Sequence, residues 1–264
     1  MPRLPALSVA SVNVRVDCEQ FGADHPDHWP RRAPVLTDWL TTTQPTLLGL
    51  QEPLGHQLDR VAQALPEHRW VGFGREGGSH GELCPIGYDA RRITLNGWDQ
   101  FWLSDTPRLI GSTGWGANFP RIVVVADLTD RASGTRFTMM NTHLDHESET
   151  ARVRGAESLL GRRVPGRPTI VTGDFNAAAE RSEPWRVLTG GGLTDTWLTA
   201  RTKVGPGHTF HDYTEDADSG RIDWILTSPE LTVAGVEISD GRQGQTWPSD
   251  HRFVLADLRL PESQ

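Results

Sequence analysis

The stretch TRFTMMNTHL, residues 135–144, decides the fold. It is an apolar, threonine-rich run of strand length, yet it closes on Asn141 and His143, which packing alone would not select. Val153, Ala156, Leu159 and Leu160 then recur at helical spacing, and PTIVTGDF (168–175) is a second apolar strand that reaches Asp174. Strand, helix and strand form a β-α-β unit with polar groups at both strand ends. The start of the chain repeats the plan: LSVASVNVRV (7–16), a helix face of Trp29, Val35, Leu36, Trp39 and Leu40, then TLLGLQE (46–52), ending on Glu52.

Further strands are expected at RWVGFG (69–74), RIVVVADL (121–128), RIDWILTS (221–228) and RFVLADLRL (252–260), and a further helix through Leu58, Val61, Ala62 and Leu65. The Gly- and Pro-rich segments at 74–81, 111–120, 189–192 and 205–207 are loop-sized, too short and too mixed to link domains. Residues 1–264 therefore read as one α/β domain, a four-layer α-β-β-α sandwich of two mixed sheets packed face to face with helices outside.

Apolar residues make up 36% of the chain, with ten tryptophans and eight phenylalanines, enough to build a sizeable core. Lysine and arginine number 26 against 34 acidic residues, a net charge of −8, and no basic run exceeds two residues. Such a surface does not attract a long polyanion non-specifically, although a local basic site is compatible with it. Cys18 and Cys84 have neither metal-ligand spacing nor the numbers for a disulfide framework. No segment approaches 18 apolar residues and no signal-peptide pattern opens the chain, so it reads as a soluble, cytoplasmic monomer without a membrane partner.

The chemistry sits where the strands stop. Asn13, Glu52, Asn141 with His143, Asp174 with Asn176, Asp223, and the Asp250–His251 pair of TWPSDHRFVLADL (246–258) all fall at strand ends. Taken singly, an Asn or Asp there is more often a turn former or helix cap, as expected for Asp17, Asp59 and Asp240. Recurrence changes the reading, because repeated polar strand ends are costly to bury without a purpose. Converged, they would offer hard oxygen ligands suited to Mg²⁺ or Mn²⁺, whereas nothing has the Cys or His spacing of a zinc site.

SVNVR, LGLQEP, NTHLDH, TGDFNA, RIDWIL and SDHRFV occur in the order and approximate spacing of the endonuclease/exonuclease/phosphatase superfamily, which the chain resembles from about residue 8 to 260. FWLSDTP (101–107) and NTHLDH resemble a bacterial branch of it. The resemblance implies a deoxyribonuclease-like fold and a divalent-metal-dependent phosphoesterase in which an activated water attacks phosphorus in line. Glu52 would be the principal metal carboxylate, helped by Asn13 and Asp250. Asp174 would orient or deprotonate the water, and Asn176 would hold it or a phosphate oxygen. His251 would contact the scissile phosphate with Asp223 fixing its tautomer, while His143, paired with Glu82 of GELCPIGY, would be an acid for the leaving oxygen. Arg121 and Asn141 would lie on the substrate side. Pro53 and Gly87 depart from the usual pattern, which puts the pocket wall rather than the ligands in doubt.

Three functions compete at this stage. A phosphodiesterase or nuclease leads, on the His143 and Glu82 pair. A phosphomonoesterase of a soluble sugar phosphate or nucleotide follows, on the charge of −8. A catalytically silent binding module comes last, because it predicts missing catalytic positions and all are present. Trp102, Trp115, Phe119 and Trp247 lie in expected loops where they could stack on a sugar or base, and DYTEDADSGR (212–221) reads as a loop over the site.

Overall fold

The computed structural model describes residues 6–18, 20–214 and 220–261. In chain order its elements are β1 (Leu7–Asn13), α1 (Trp29–Thr43), β2 (Leu47–Gln51), α2 (Gly55–Ala64), β3 (His68–Val71), β4 (Ile86–Asp89) and β5 (Ile93–Trp102). There follow β6 (Ile122–Asp130), β7 (Arg136–His143), α3 (Glu149–Leu160), β8 (Thr169–Asp174), α4 (Glu183–Gly190), β9 (Thr194–Asp195) and α5 (Thr196–Thr199). The last are β10 (Thr202–Val204), β11 (Asp223–Thr227), β12 (Thr232–Ser239) and β13 (Phe253–Arg259). Each expected strand and helix is present.

The strands form two mixed sheets, one ordered β10-β12-β13-β1-β2-β4-β3 and the other β5-β6-β7-β8-β11-β9. Central strands are buried on both faces, which is why they read as apolar runs rather than as clean alternation. Successive residues of one strand face different layers. Val9, Leu47, Met139, Ile170 and Ile225 pack between the sheets. Ala10 and Leu48 turn instead to Leu36, Leu40 and Val61 of α1 and α2. Met140, Val171 and Leu226 turn to Ala156 and Leu159 of α3 and Leu188 of α4. The result is the α-β-β-α sandwich.

Two long strands escaped the pattern reading, and both are bulged. β5 shifts register between Leu95 and Gly97, and β12 between Val233 and Gly235, so neither keeps a single period along its length. Gly87 in β4 has a local reason. It pairs with Trp70 of β3, and a Cβ there would lie 2.6 Å from the Trp70 ring.

The two β-α-β units fall one in each sheet, and pairing register decides where their ends meet. β1 and β2 run parallel with Asn13 opposite Gln51, while β7 and β8 run parallel with His143 opposite Asp174. Antiparallel β11 sets Asp223 beside Asp174, and antiparallel β13 starts at the end where β1 finishes. One end of the sandwich therefore collects the polar strand ends.

Just behind that end lies a polar seam between the sheets. Asn141, 0% exposed, donates to the carbonyls of Leu50 (2.7 Å) and Pro85 (3.1 Å) and accepts from Gln51 Nε2 (2.7 Å) and Thr172 Oγ1 (3.0 Å). Gly49 permits this approach, since a Cβ would lie 2.2 Å from Thr172 Oγ1 and 2.6 Å from Asn141 Oδ1. The substrate-side position expected for Asn141 is thereby corrected. Its side chain is spent on holding the sheets together.

Candidate active site

The strand ends open on a cavity of about 440 Å³ lined by Glu52, Glu82, Arg121, His143, Asp174, Asn176, Asp250 and His251, among others. Asn13 lies behind the lining residues and ties the sheets together: Nδ2 donates to Glu52 Oε1 (2.8 Å) and Asp174 Oδ2 (2.9 Å), and Oδ1 accepts from the Arg15 amide (2.9 Å). Glu52 Oε2 accepts from the Val16 amide (2.8 Å). Asp174 Oδ1 accepts from the Asn176 amide, and Asn176 Nδ2 lies 2.9 Å from His143 Nε2 and donates to the Leu144 carbonyl. Asp223 Oδ2 holds His251 Nδ1 at 2.9 Å, which leaves His251 Nε2 directed at Asp174 Oδ2, 3.7 Å away. Glu52 and Asn176 both take positive φ, at 70° and 48°, a strained backbone that these bonds over-determine.

The two imidazoles diverge in charge. Burial disfavours the charged form of His251, yet Asp223, Asp174 and Asp250 outweigh it and hold this ring well above its ordinary range, as an imidazolium. Burial, reinforced by Arg121, His251 and Arg75, holds His143 well below its range and neutral. That neutrality speaks against the leaving-group acid expected of His143. Burial together with Asp223 raises Asp174 to about 7, the range of a general base near neutrality. Burial also works against the Glu52 carboxylate, but His251, Asn13 and the Val16 amide outweigh it and keep Glu52 ionised.

Glu82 does not make the bond expected of it. Its carboxylate pairs with Arg75 Nη1 at 2.9 Å and lies 4.0 Å from His143 Nδ1, which has no hydrogen-bond partner among the described residues. Of the four tryptophans and phenylalanines expected in loops, Phe119 lines the cavity, whereas Trp102 and Trp247 are buried and Trp115 bonds Asp105. The acidic loop falls partly outside the described residues, at 215–219, although Asp212 lines the cavity.

A family model described as Endonuclease/Exonuclease/phosphatase family matches residues 10–251. The chain belongs to that family. It is similar to an endonuclease/exonuclease/phosphatase from Bacteroides vulgatus, at 32% identity and a TM-score of 0.90 over 96% of this chain and 98% of that one. A mannosyl-6-phosphatase of Bacteroides thetaiotaomicron VPI-5482 is 29% identical, with a TM-score of 0.87 over 97% of this chain and all of that one (100%). D. rerio TDP2, solved with a single-strand DNA product, shares the fold at 16% identity and a TM-score of 0.71, over 96% of this chain and 98% of that one. A protein of Acanthamoeba polyphaga mimivirus is 24% identical over 159 residues, 56% of this chain, and the match spans 59% of that viral protein's length.

Like its family, the chain has groups able to hold a divalent ion. Glu52, His143 and Asp174 present ligand atoms within 4.8 Å of one another, as do Asp174, Asp223 and His251. The oxygen-rich donor set fits a hard cation, and burial next to Glu52 raises both Asp174 and Asp250, so positive charge among them would be stabilised. Asp250 stands beside these clusters, 3.5 Å from Arg15 Nε. Among the residues lining the cavity, the basic side chains of Arg15, Arg75 and His146 were not singled out from the sequence. Arginine is common in solvated loops, and no local signal separates an inward arginine from those. His146 differs, because it closes the NTHLDH motif and its Nδ1 accepts from Arg121 Nη2 at 2.9 Å.

Proposed function

We propose that this protein is a Mg²⁺- or Mn²⁺-dependent phosphomonoesterase acting on a small phosphorylated sugar. The observation that carries the reading is the concentration of Arg15, Arg75 and Arg121 around one cavity of about 440 Å³ in a chain of net charge −8. A phosphomonoester carries up to two negative charges at neutral pH and a diester one, so clustered guanidiniums favour the monoester. The likeness to a mannosyl-6-phosphatase across 97% of the chain points to a sugar. The nuclease reading rested on Glu82 with His143, and it loses support because Glu82 bonds Arg75 instead.

Glu52, with Asn13 and Asp250 alongside, is the residue that would hold the ion. A bound divalent ion would shield the phosphate charge and acidify a water. The chain's own residues supply the rest. Asp174, ionised in part near pH 7, accepts the water's proton, and Asn13 and the Asn176 amide hold that carboxylate in place. The His251 imidazolium, fixed by Asp223, faces the charge that builds on phosphorus and is the better proton source for the leaving oxygen. The arginines that line the cavity make it electropositive toward the remaining oxygens. We read residues 1–264 as a single domain working as a monomer, and among the described residues no helix is long and apolar enough to cross a membrane.

The test is hydrolysis by metal-stripped protein resupplied with Mg²⁺ or Mn²⁺. We expect kcat/KM for a hexose 6-phosphate to exceed that for its methyl diester by at least ~10-fold, the difference of one charge-assisted contact. The reverse ratio would restore the phosphodiesterase reading.

A further inference from the structure

The three cavity arginines are not equivalent. Arg121 is 6% exposed at its side chain, with Nη2 on His146 and Nε 3.5 Å from Asp145. Arg75 is 12% exposed and gives Nη1 to Glu82. Arg15 is 31% exposed, and both of its carboxylate partners meet it at Nε: Asp27 Oδ2 at 3.0 Å and Asp250 Oδ2 at 3.5 Å. Among the described residues its two Nη groups make no hydrogen bond, so the outer fork of the guanidinium is available to the cavity it lines.

That fork is aimed by an unusual amount of structure. Arg15 has φ of 58°, in the left-handed region where a long side chain is costly. The conformation persists because the backbone is held on both sides: its amide donates to Asn13 Oδ1, and its carbonyl accepts from Gln57 Nε2 (3.0 Å) and Arg32 Nη2 (3.1 Å). Arg32, on α1 and 0% exposed, also donates to the carbonyls of Val14, Pro248 and Asp27. The Asp27 carboxylate is itself pinned, accepting from Tyr213 Oη at 2.9 Å and lying 3.4 Å from Arg32 Nη2. A buried aspartate whose Oδ1 is held by Tyr213 and Arg32 presents Oδ2 to Arg15 Nε and so sets which way the fork points.

We infer that Arg15 binds two non-bridging oxygens of a phosphomonoester through its Nη groups, and that Asp27 is its positioning residue. This rests on the phosphomonoesterase reading and deepens it. A guanidinium reads a planar pair of anionic oxygens bidentately. A diester offers one anionic charge spread over its two free oxygens and a bulky fourth substituent, so it gains less from the fork. Arg15 thereby selects monoester over diester, while Arg75, with Nη1 on Glu82, and Arg121, with Nη2 on His146, shape the cavity.

The test compares Arg15→Ala, Arg15→Lys, Arg15→Gly and Asp27→Asn on a hexose 6-phosphate and its methyl diester, with Mg²⁺ present. Arg15→Ala should lower kcat/KM for the monoester by ~10²-fold or more and for the diester by under about tenfold. Added guanidinium should restore at least about tenfold of the loss. Arg15→Gly relaxes the positive φ, so it folds at least as readily as Arg15→Ala and repeats the measurement on a sound chain. Arg15→Lys keeps the charge without the fork and should recover only part of the discrimination. Asp27→Asn should raise KM for the monoester by about tenfold with little change in kcat, and guanidinium should not rescue it. Equal losses on both esters, or no rescue in a folded Arg15→Ala or Arg15→Gly protein, would overturn the inference. A wild-type protein that prefers the diester would instead remove the reading of function, whatever Arg15 does.

Discussion

The two β-α-β units share a plan but spend their connecting loops differently. In the first, the segment from Asn13 to Trp29 is long and carries Arg15 and the buried Asp27. A fully buried guanidinium at Arg32 straps its start through the carbonyls of Val14, Arg15 and Val16. In the second, only residues 144–148 separate β7 from α3, and capping does the work: Asp145 Oδ1 accepts from the Glu147 and Ser148 amides, and Ser148 Oγ caps Ala151. The first unit therefore supplies an arm that reaches substrate oxygens, and the second supplies Asp174, Asn176 and His143 at fixed strand ends. A short capped loop suits groups that must not move relative to the sheet; a long strapped loop suits one that must reach beyond it.

The largest effect should come from the reacting centre on which both units converge. Asp174→Asn or His251→Ala should lower kcat by at least ~10²-fold in steady-state assays of metal-loaded protein, the low end for losing a general base or acid. Near-normal turnover in either would separate that residue from the chemistry. The seam between the units comes next. Asn141→Ala removes one buried hydrogen-bond partner each from Gln51, Thr172 and the carbonyls of Leu50 and Pro85, at a cost of about 2–3 kcal/mol in urea unfolding, with KM close to wild type. A raised KM with unchanged stability would return Asn141 to the substrate side.

The smallest effect sharpens the contrast between the sheets. His211 packs on Trp247 in the segment leading past Asp250, and burial, helped by Arg252 and His251, lowers its pKa to about 3. The unfolded chain, with an ordinary imidazole near 6.5, binds the extra proton first, so the stability His211 permits is complete above that value and declines as pH falls toward 3. We expect wild-type protein to lose about 1–2 kcal/mol more than His211→Gln between pH 7 and pH 5, read as the difference in urea midpoints. Parallel losses in the two proteins would place the acid sensitivity elsewhere.

Much of this was legible because it is local. Runs such as TLLGLQE and PTIVTGDF show strands buried on both faces, and the polar residue closing each run marks the working end of its sheet. The bulged β5 and β12 were not legible, since an inserted residue destroys the period on which such reading depends. Asn141 and Asn13 look alike in sequence, each an asparagine near the end of an apolar strand. One lies in the seam and the other holds the cavity residues Glu52 and Asp174, and only their different neighbours in the facing sheet tell them apart.

By itself the sequence determined the central strands, the helices α1 to α3, the presence of two similar units and the residue types at the strand ends, because hydrophobic period and residue chemistry act over a few positions. Tertiary structure alone decided that Glu82 bonds Arg75 rather than His143, that His143 is neutral while His251 is charged, and that Arg15 points a free fork into the cavity. Those outcomes depend on register and burial between segments as distant as Asn13 and Asp174, and the direction of a side chain across such a contact is set by packing, which no local pattern records.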